Sequence, residues 1–320
     1  MTRYVVWRIA SVIPTVVGVT LLVFLVTYFI PGDPAAVLGG TQVTPDVVAS
    51  LRHAWGLDQP IYVRYLLWLG NVARGNLGTS YFSHLTVLQL VARAAPVTTE
   101  LAVLALLVAV AIAVPAGILS AVRPGSWFDL TATAFSFGGL AIPGFWLGIM
   151  LIYVFSVALR WLPAGGYTPL AAGLGPNLRG MLLPSLALGA FASTQLMRYL
   201  RAGMLDVLGA EYTRTARAKG VAEPGVVLRH AFRNALIPFL TVLGVQMGYL
   251  LGGTVITESV FALPGVGRLV LNAILNRDYQ VATGIIVLIA VAFVLVNLAV
   301  DLLYPLLDPR VRLGRAAHSR

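Results

Sequence analysis

The chain has 320 residues, of which 58% are hydrophobic and 11% charged, with a formal net charge of +10 and no cysteine. A mean hydropathy of +0.87 lies beyond what an ordinary soluble domain reaches. The missing cysteines exclude a disulfide framework and a thiolate metal site. The basic excess follows membrane topology and does not argue for nucleic acid.

Six apolar runs are long enough for the roughly 30 Å hydrocarbon core, which takes about 20 helical residues. They lie near Ile9–Ile30, Thr98–Val122, Thr131–Leu159, Met181–Arg201, Leu236–Thr257 and Val281–Leu303. Only helices or closed barrels satisfy the backbone in lipid, and these runs are too long and too evenly apolar for barrel strands. The sequence therefore predicts an all-α membrane protein with six transmembrane helices. With the N-terminus inside, cytoplasmic segments carry Arg3, Arg8, Arg123, Arg198, Arg201, Arg214, Arg217, Lys219, Arg229, Arg233, Arg310, Arg312, Arg315 and Arg320. Outside segments carry Arg160, Arg179, Arg268 and Arg277, plus Arg52, Arg64, Arg74 and Arg93 in a long loop that the rule discounts. Basic residues concentrate on the cytoplasmic side, so both termini are expected there.

The first run follows Arg3 and Arg8 and is succeeded by PGDP at 31–34. Its apolar core is too long for a signal peptide and no small-x-small site follows, so it reads as a retained span. Pro31 to Pro96 forms a long outside segment whose centre, GLDQPIYVRYLLWLGNVARGNLG at 56–78, has aromatic and apolar residues at roughly helical spacing, predicting a small helical cap on the outer surface. Interfacial packing and a direct part in substrate handling are both open for it. Glu100 opens the second run, where a carboxylate in a first turn suits the helix dipole; a functional role stands beside that structural one. The turn RPGSWFD at 123–129 leads into the third run, whose Gly138, Gly139 and Pro143-Gly144 invite a kink or an opened backbone. Helix packing and a pathway role remain alternatives for these residues.

Asp206 to Pro238 is the longest polar interval of the second half, with apolar runs on both sides. A loop between two membrane helices needs only a few residues. Val207 to Lys219 lacks proline and is rich in helix formers. Gly220 suits a left-handed C-cap, and Pro224 suits a first helical turn. The segment reads as two short helices meeting at a turn, a docking element held outside the membrane. In the fifth run Gly244, Gly248 and Gly252 fall four apart, with Gln246 among them. Such small-residue rows let helix backbones approach, within one subunit or between two. Glu258 stands where this run leaves the membrane, and Asp301 near the inner end of the last; hydration at the interface and function are both open. The tail LDPRVRLG is expected to hold no further domain.

Catalytic chemistry has no visible carriers. No G-x-x-x-x-G-K-[ST] occurs, and Lys219 is the sole lysine, so no ATP-cradling loop is present. There is no H-E-x-x-H and no G-x-S-x-G. His53, His84, His230 and His318 are scattered, with none inside an apolar run. No catalytic, cofactor-binding or metal residue is assigned.

EYTRTARAKG at 211–220 followed by RHAFRNALIP at 229–238 resembles the cytoplasmic signature of the integral membrane permease subunits of ABC importers. Within these it is most similar to the dipeptide/oligopeptide/nickel branch. PGDPA at 31–35, GLDQP at 56–60, WLPAGGY at 161–167, FALPGVGRLVLNAILNRDYQV at 261–281 and VDLLYPLLDPRVR at 300–312 fall where that branch places them. The likeness covers nearly the whole chain, and the combination is far more specific than any one piece. One departure is the Glu-Ala-Ala triplet of the general importer pattern, which stands here as Arg214-Thr215-Ala216. The other is a longer glycine-to-proline interval. Both are usual in the peptide branch, and they argue against giving Glu211 the general family's glutamate role.

The resemblance implies a type I ABC importer permease fold in a bacterial or archaeal cytoplasmic membrane. It implies residues 1–30 as N-terminus and first helix, 31–96 as an extracytoplasmic cap, 97–306 as a five-helix core and 307–320 as a cytoplasmic tail. The coupling loop would be 203–235. The contact to the ATPase would be made by Glu211, Tyr212, Thr213, Arg214, Thr215, Ala216, Arg217, Ala218, Lys219, Gly220, Val221, Ala222 and Glu223. Packing or pathway candidates are Gly138, Gly139, Pro143, Gly244, Gln246, Gly248, Gly252 and Glu258. The implied partners are a second homologous permease, two cytoplasmic ATPase subunits that hold ATP and Mg, and an extracytoplasmic solute-binding protein. The chain itself would be no enzyme. Short peptides are the expected cargo, with nickel or another metal chelate as the alternative; the absence of intramembrane His or Cys tilts toward peptides. An ion-coupled secondary transporter would call for midplane charges or broken-helix sites and an internal repeat. No repeat is seen, and the acidic residues sit at span ends.

Overall fold

The structure is a computed structural model that describes residues 2–29 and 44–307. The PGDP stretch, the tail from residue 308 and the side chains of Arg3, Arg8 and Asp301 lie outside the described residues. In chain order the helices are α1 (Thr2–Phe29), α2 (Pro45–Ala54), α3 (Ile61–Ala73), α4 (Val87–Val122), α5 (Trp127–Ala141) and α6 (Gly144–Leu151). There follow α7 (Leu174–Leu208), α8 (Glu211–Ala218), α9 (Arg233–Gly253), α10 (Val255–Val260), α11 (Val266–Leu275) and α12 (Tyr279–Leu307). Among the described residues there is no strand beyond one bridge between Thr79 and Thr86.

By length and apolarity α4, α7 and Tyr279–Ala299 of α12 can each cross a bilayer. Two bent pairs also qualify if each counts as one span. The described apolar part of α1 is Ser11–Val26. The third apolar run is not one straight helix. Pro143 cannot continue α5, and Ile142 before it is extended, so α5 ends and α6 restarts at 105° to it. A π-helical turn, Ile152–Ala158, then ends the run. The second run begins earlier than expected. α4 starts at Val87, so Glu100 lies more than three turns inside the helix, out of reach of the first-turn dipole.

The chain forms two compact units. The unit built on 99–263 has α7 at its centre. Leu196, Met197, Leu200 and Met204 of α7 meet Ala109, Ala113 and Ala121 of α4 and Ala235 and Phe239 of α9 in one buried cluster. Small alanines on α4 let it lie close against the large side chains of α7.

The other unit takes residues 2–98 and 264–294. The expected helices of the 31–96 region are present as α2 and α3. Tyr65 and Trp68 of α3 pack on Phe24 of α1, with ring centroids 5.4 and 5.9 Å away. A second cluster gathers Leu77, Val87, Val270, Val281 and Ile285. Beside it the Ser80 hydroxyl donates to Asp278 Oδ2 at 2.6 Å, and Thr98 accepts from the Val266 amide at 2.8 Å. Burial pushes the Asp278 carboxyl up, with the Ser80 hydrogen bond opposing.

Candidate functional site: a docking element at 203–235

α7 stops at Leu208, and Ala210 takes an extended conformation that starts α8. Glu211 in the first turn of α8 is favoured by the helix dipole. Thr213 and Ala216, three residues apart, share the face that turns inward, while the other residues of α8 are exposed. The buried Thr213 hydroxyl donates to the Val207 carbonyl at 2.8 Å and ties α8 to the end of α7. A hydrogen bond of this kind contributes about 1 kcal/mol net.

The turn after α8 is a two-bond left-handed cap. Gly220 has φ +81°; its amide donates to the Arg217 carbonyl at 2.9 Å and the Val221 amide to the Ala216 carbonyl at 3.2 Å. Arg217 and Glu223 bridge the turn from outside. Pro224 sits in the first turn of the next helical limb, as the sequence predicts. That limb is not a second short helix. No breaker follows Gly225, so Val226–Phe232 runs on as a π-helical stretch into α9, bending by 50° about Pro238. Val227 and Ala231 of this stretch belong to the buried cluster around Leu200 and Met204.

The result is a rigid elbow whose inner face is anchored and whose outer face is open. Arg214, Lys219, Arg229 and Arg233 are exposed there, together with Tyr212, Val221 and Leu228, which are 48%, 38% and 57% exposed. The Arg217 guanidinium holds the Glu223 carboxyl below the usual carboxylate range. Glu211 pairs only with Arg214, at 3.2 Å, among the salt bridges of this segment. A basic and apolar surface on a stiff support suits binding to another macromolecule rather than bond-making chemistry.

Sequence reasoning missed the ion pair beneath this elbow. Asp129 lies in the first turn of α5, where its amide donates to Ser126 Oγ at 3.2 Å. Its carboxylate accepts from Arg201 of α7, Nε at 2.6 Å and Nη2 at 2.7 Å. Ser126 caps α5 through the amide contact, and nothing in the sequence linked position 129 to 201.

The remaining candidates are spread rather than gathered. Gly138 faces open space, whereas a Cβ on Gly139 would stand 2.7 Å from Thr194 Cγ2. Pro143 caps α6. Gly244 and Gly248 are buried within this chain and Gly252 is exposed. Gln246 is buried, and its amide nitrogen has no hydrogen-bond partner. Glu258 is fully buried in α10 and accepts from Thr254 Oγ1 at 2.8 Å, so the expectation of a hydrated interface fails. The Leu263 amide donates to the Glu258 backbone carbonyl at 2.8 Å and closes the turn after α10. Glu100 Oε2 accepts from the Tyr167 hydroxyl at 2.8 Å while its Oε1 is buried without a partner. Burial and then the Glu100 carboxylate push the Tyr167 phenol up to about 12.

Apolar helices long enough to cross a membrane mark an integral membrane protein. The chain belongs to the binding-protein-dependent transport system inner membrane component family, the permeases of ABC transporters: that family model matches residues 113–313, and the model of its N-terminal part matches 1–102. It is 41% identical over 312 residues to a probable peptide ABC transporter permease, y4tP, of Sinorhizobium fredii, covering 98% of this chain and 100% of the relative. It is 40% identical to the di/tripeptide transport system permease DppB of Pseudomonas aeruginosa, covering 98% and 99%. It is also 40% identical to the glutathione transport system permease GsiC of Escherichia coli, again over 98% and 99%. Among solved structures it resembles a chain of the MetNI methionine ABC transporter, with TM-score 0.56 and 17% identity, covering 69% of this chain and 97% of that one. That likeness concerns the fold.

Proposed function

We propose that this chain is one of two permease subunits of an ABC importer that moves short peptides inward. The observation that carries the proposal is the elbow at 211–223, anchored on its inner face by Thr213 and Ala216 and otherwise exposed. On this reading the elbow seats in a cytoplasmic ATPase subunit, with ATP and Mg bound there, and a solute-binding protein delivers cargo on the other side. Peptides are favoured because the named relatives carry peptide, di/tripeptide and glutathione systems. The chain crosses the membrane six times with both termini and the elbow inside, in keeping with the distribution of arginines. The cap at 31–96, the core at 97–306 and the tail at 307–320 follow from that topology. Gly138, Gly139, Pro143, Gln246, Gly252 and Glu258, with Gly244 and Gly248, remain the candidates for helix packing beside the pathway.

The test uses the absence of native cysteine. Tyr212→Cys or Leu228→Cys should cross-link to single cysteines in the ATPase subunit encoded with this chain. A transporter with full uptake whose elbow cysteines never cross-link to any ATPase position would overturn the assignment.

A further inference from the structure

α5 and α7 are joined along one antiparallel seam. Asp129 meets Arg201, and Ser136, seven residues further along α5, donates to the carbonyl of Thr194, seven residues back along α7, at 2.9 Å. Seven residues span about 10.5 Å of helix, so a single register holds over two turns. Gly139 then lets the backbone of α5 come up against the Thr194 side chain.

The Asp129 end of this seam is the most tightly specified. The side chains of Asp129 and Arg201 are 5% and 28% exposed. Besides the two Arg201 contacts, the carboxylate accepts from the Gly125 amide at 2.9 Å and the Thr133 hydroxyl at 3.4 Å. Both oxygens are engaged from several directions, so the pair has one geometry. For stability alone, an apolar pair of similar volume would serve as well or better. What a two-point guanidinium–carboxylate contact adds is fixed distance and fixed angle. Elsewhere on α5 the side chains of Leu130, Phe135 and Phe137 are 63%, 62% and 60% exposed.

Beyond Arg201, α7 runs two more turns to Leu208, and α8 is then hydrogen-bonded back to it through Thr213. The elbow, the end of α7 and the start of α5 thus form one connected series of polar contacts. We propose that Asp129 and Arg201 are positioning residues for transport, which make α5 move as one body with the elbow end of α7. A displacement of the elbow then reaches the bend between α5 and α6. This rests on the assignment of the elbow as the ATPase contact. Adjacency alone does not establish coupling, so the test reads motion.

The complete transporter is reconstituted, with either Asp206→Cys at the exposed end of α7 or Trp127→Cys at the exposed start of α5. Maleimide labelling rates are compared before and after trapping with ATP and vanadate. Both probes should respond in the otherwise native protein. Adding Asp129→Asn should leave the α7 response and reduce the α5 response at least fivefold, and the exchange Asp129→Arg with Arg201→Asp should restore it. If Asp129→Asn does not assemble, Arg201→Lys takes its place: the charge is kept but the two-point contact is lost, and the α5 response should fall in the same way while the α7 response stays. An α5 probe that answers ATP equally well without the two-point contact overturns the inference, as does an exchange that restores nothing. Should the α7 probe be silent in the native transporter, the assignment of the elbow fails instead.

Discussion

Arg217 and Glu223 meet across the Gly220 turn at two points, Nε to Oε2 at 3.0 Å and Nη2 to Oε1 at 2.7 Å. Their side chains are 39% and 52% exposed, so solvent and salt screen the pair and it contributes little to global stability. Its effect is local, holding the two limbs of the elbow at one angle. Because the folded carboxyl is held below its ordinary range, the pair is present at and above that range and is lost only as pH falls through the lowered value. Near neutral pH it is constant. Glu223→Gln should weaken association with the ATPase subunit a few-fold and flatten the salt dependence of that association, measured by binding at low and high ionic strength. An unchanged salt response would show that the pair does not set the elbow.

Gly220 should be sensitive to backbone conformation and insensitive to bulk. Its φ is +81°, yet no atom lies within 4 Å of where a Cβ would stand. A side chain in this region costs about 1–2 kcal/mol, and more when β-branched. Gly220→Val should therefore lower uptake by roughly 5- to 30-fold with membrane abundance unchanged, while Gly220→Asn, which tolerates the left-handed region, keeps most activity. Equal uptake in both variants would remove the turn from the account.

Gly138 and Gly139 are neighbours with opposite environments. Gly139→Ala places a methyl group 2.7 Å from Thr194 Cγ2, an overpacking that costs about 1–3 kcal/mol. Gly138→Ala meets nothing and should gain about 0.5–1 kcal/mol from better helix propensity. Thermal unfolding of the two purified variants should move in opposite directions from the native protein.

Asp278 supplies a pH dependence of the other sign. Burial raises its folded value, so the folded state holds the proton more tightly than the unfolded chain does. Stability should rise as pH falls from neutral through the raised value, and no further once pH is below the unfolded one. Ser80, which donates to Asp278, also accepts from the amides of Phe82 and Ser83, so hydrogen exchange at those amides reports the contact. Protection, corrected for intrinsic exchange, should increase on mild acidification in the native protein and be pH-independent in Asp278→Asn.

What was legible in the sequence is what is local. The Gly220 turn could be read because only one residue type adopts that φ freely and Pro224 follows at helix-start spacing. The break in the third run could be read from Pro143-Gly144, but not its 105° angle, which depends on what α6 packs against. Glu100 and Glu258 were misplaced because hydropathy marks where apolar residues begin, not where helices do. Thus α4 starts at Val87, and Glu258, at the end of an apolar run, is fully buried by the fold. The Asp129–Arg201 contact spans 72 residues and has no periodic trace. Only the packing of α5 on α7 reveals it.

The central claim is that this chain forms a pathway driven by ATP that another polypeptide hydrolyses. The direct measurement is uptake of a labelled dipeptide pool into proteoliposomes, with the ATPase subunits present or left out. The full assembly of this chain, its partner permease, the ATPases and the binding protein should accumulate cargo on addition of ATP, and omission of the ATPase subunits should abolish it. ATP-driven accumulation by the permease subunits alone would contradict the account.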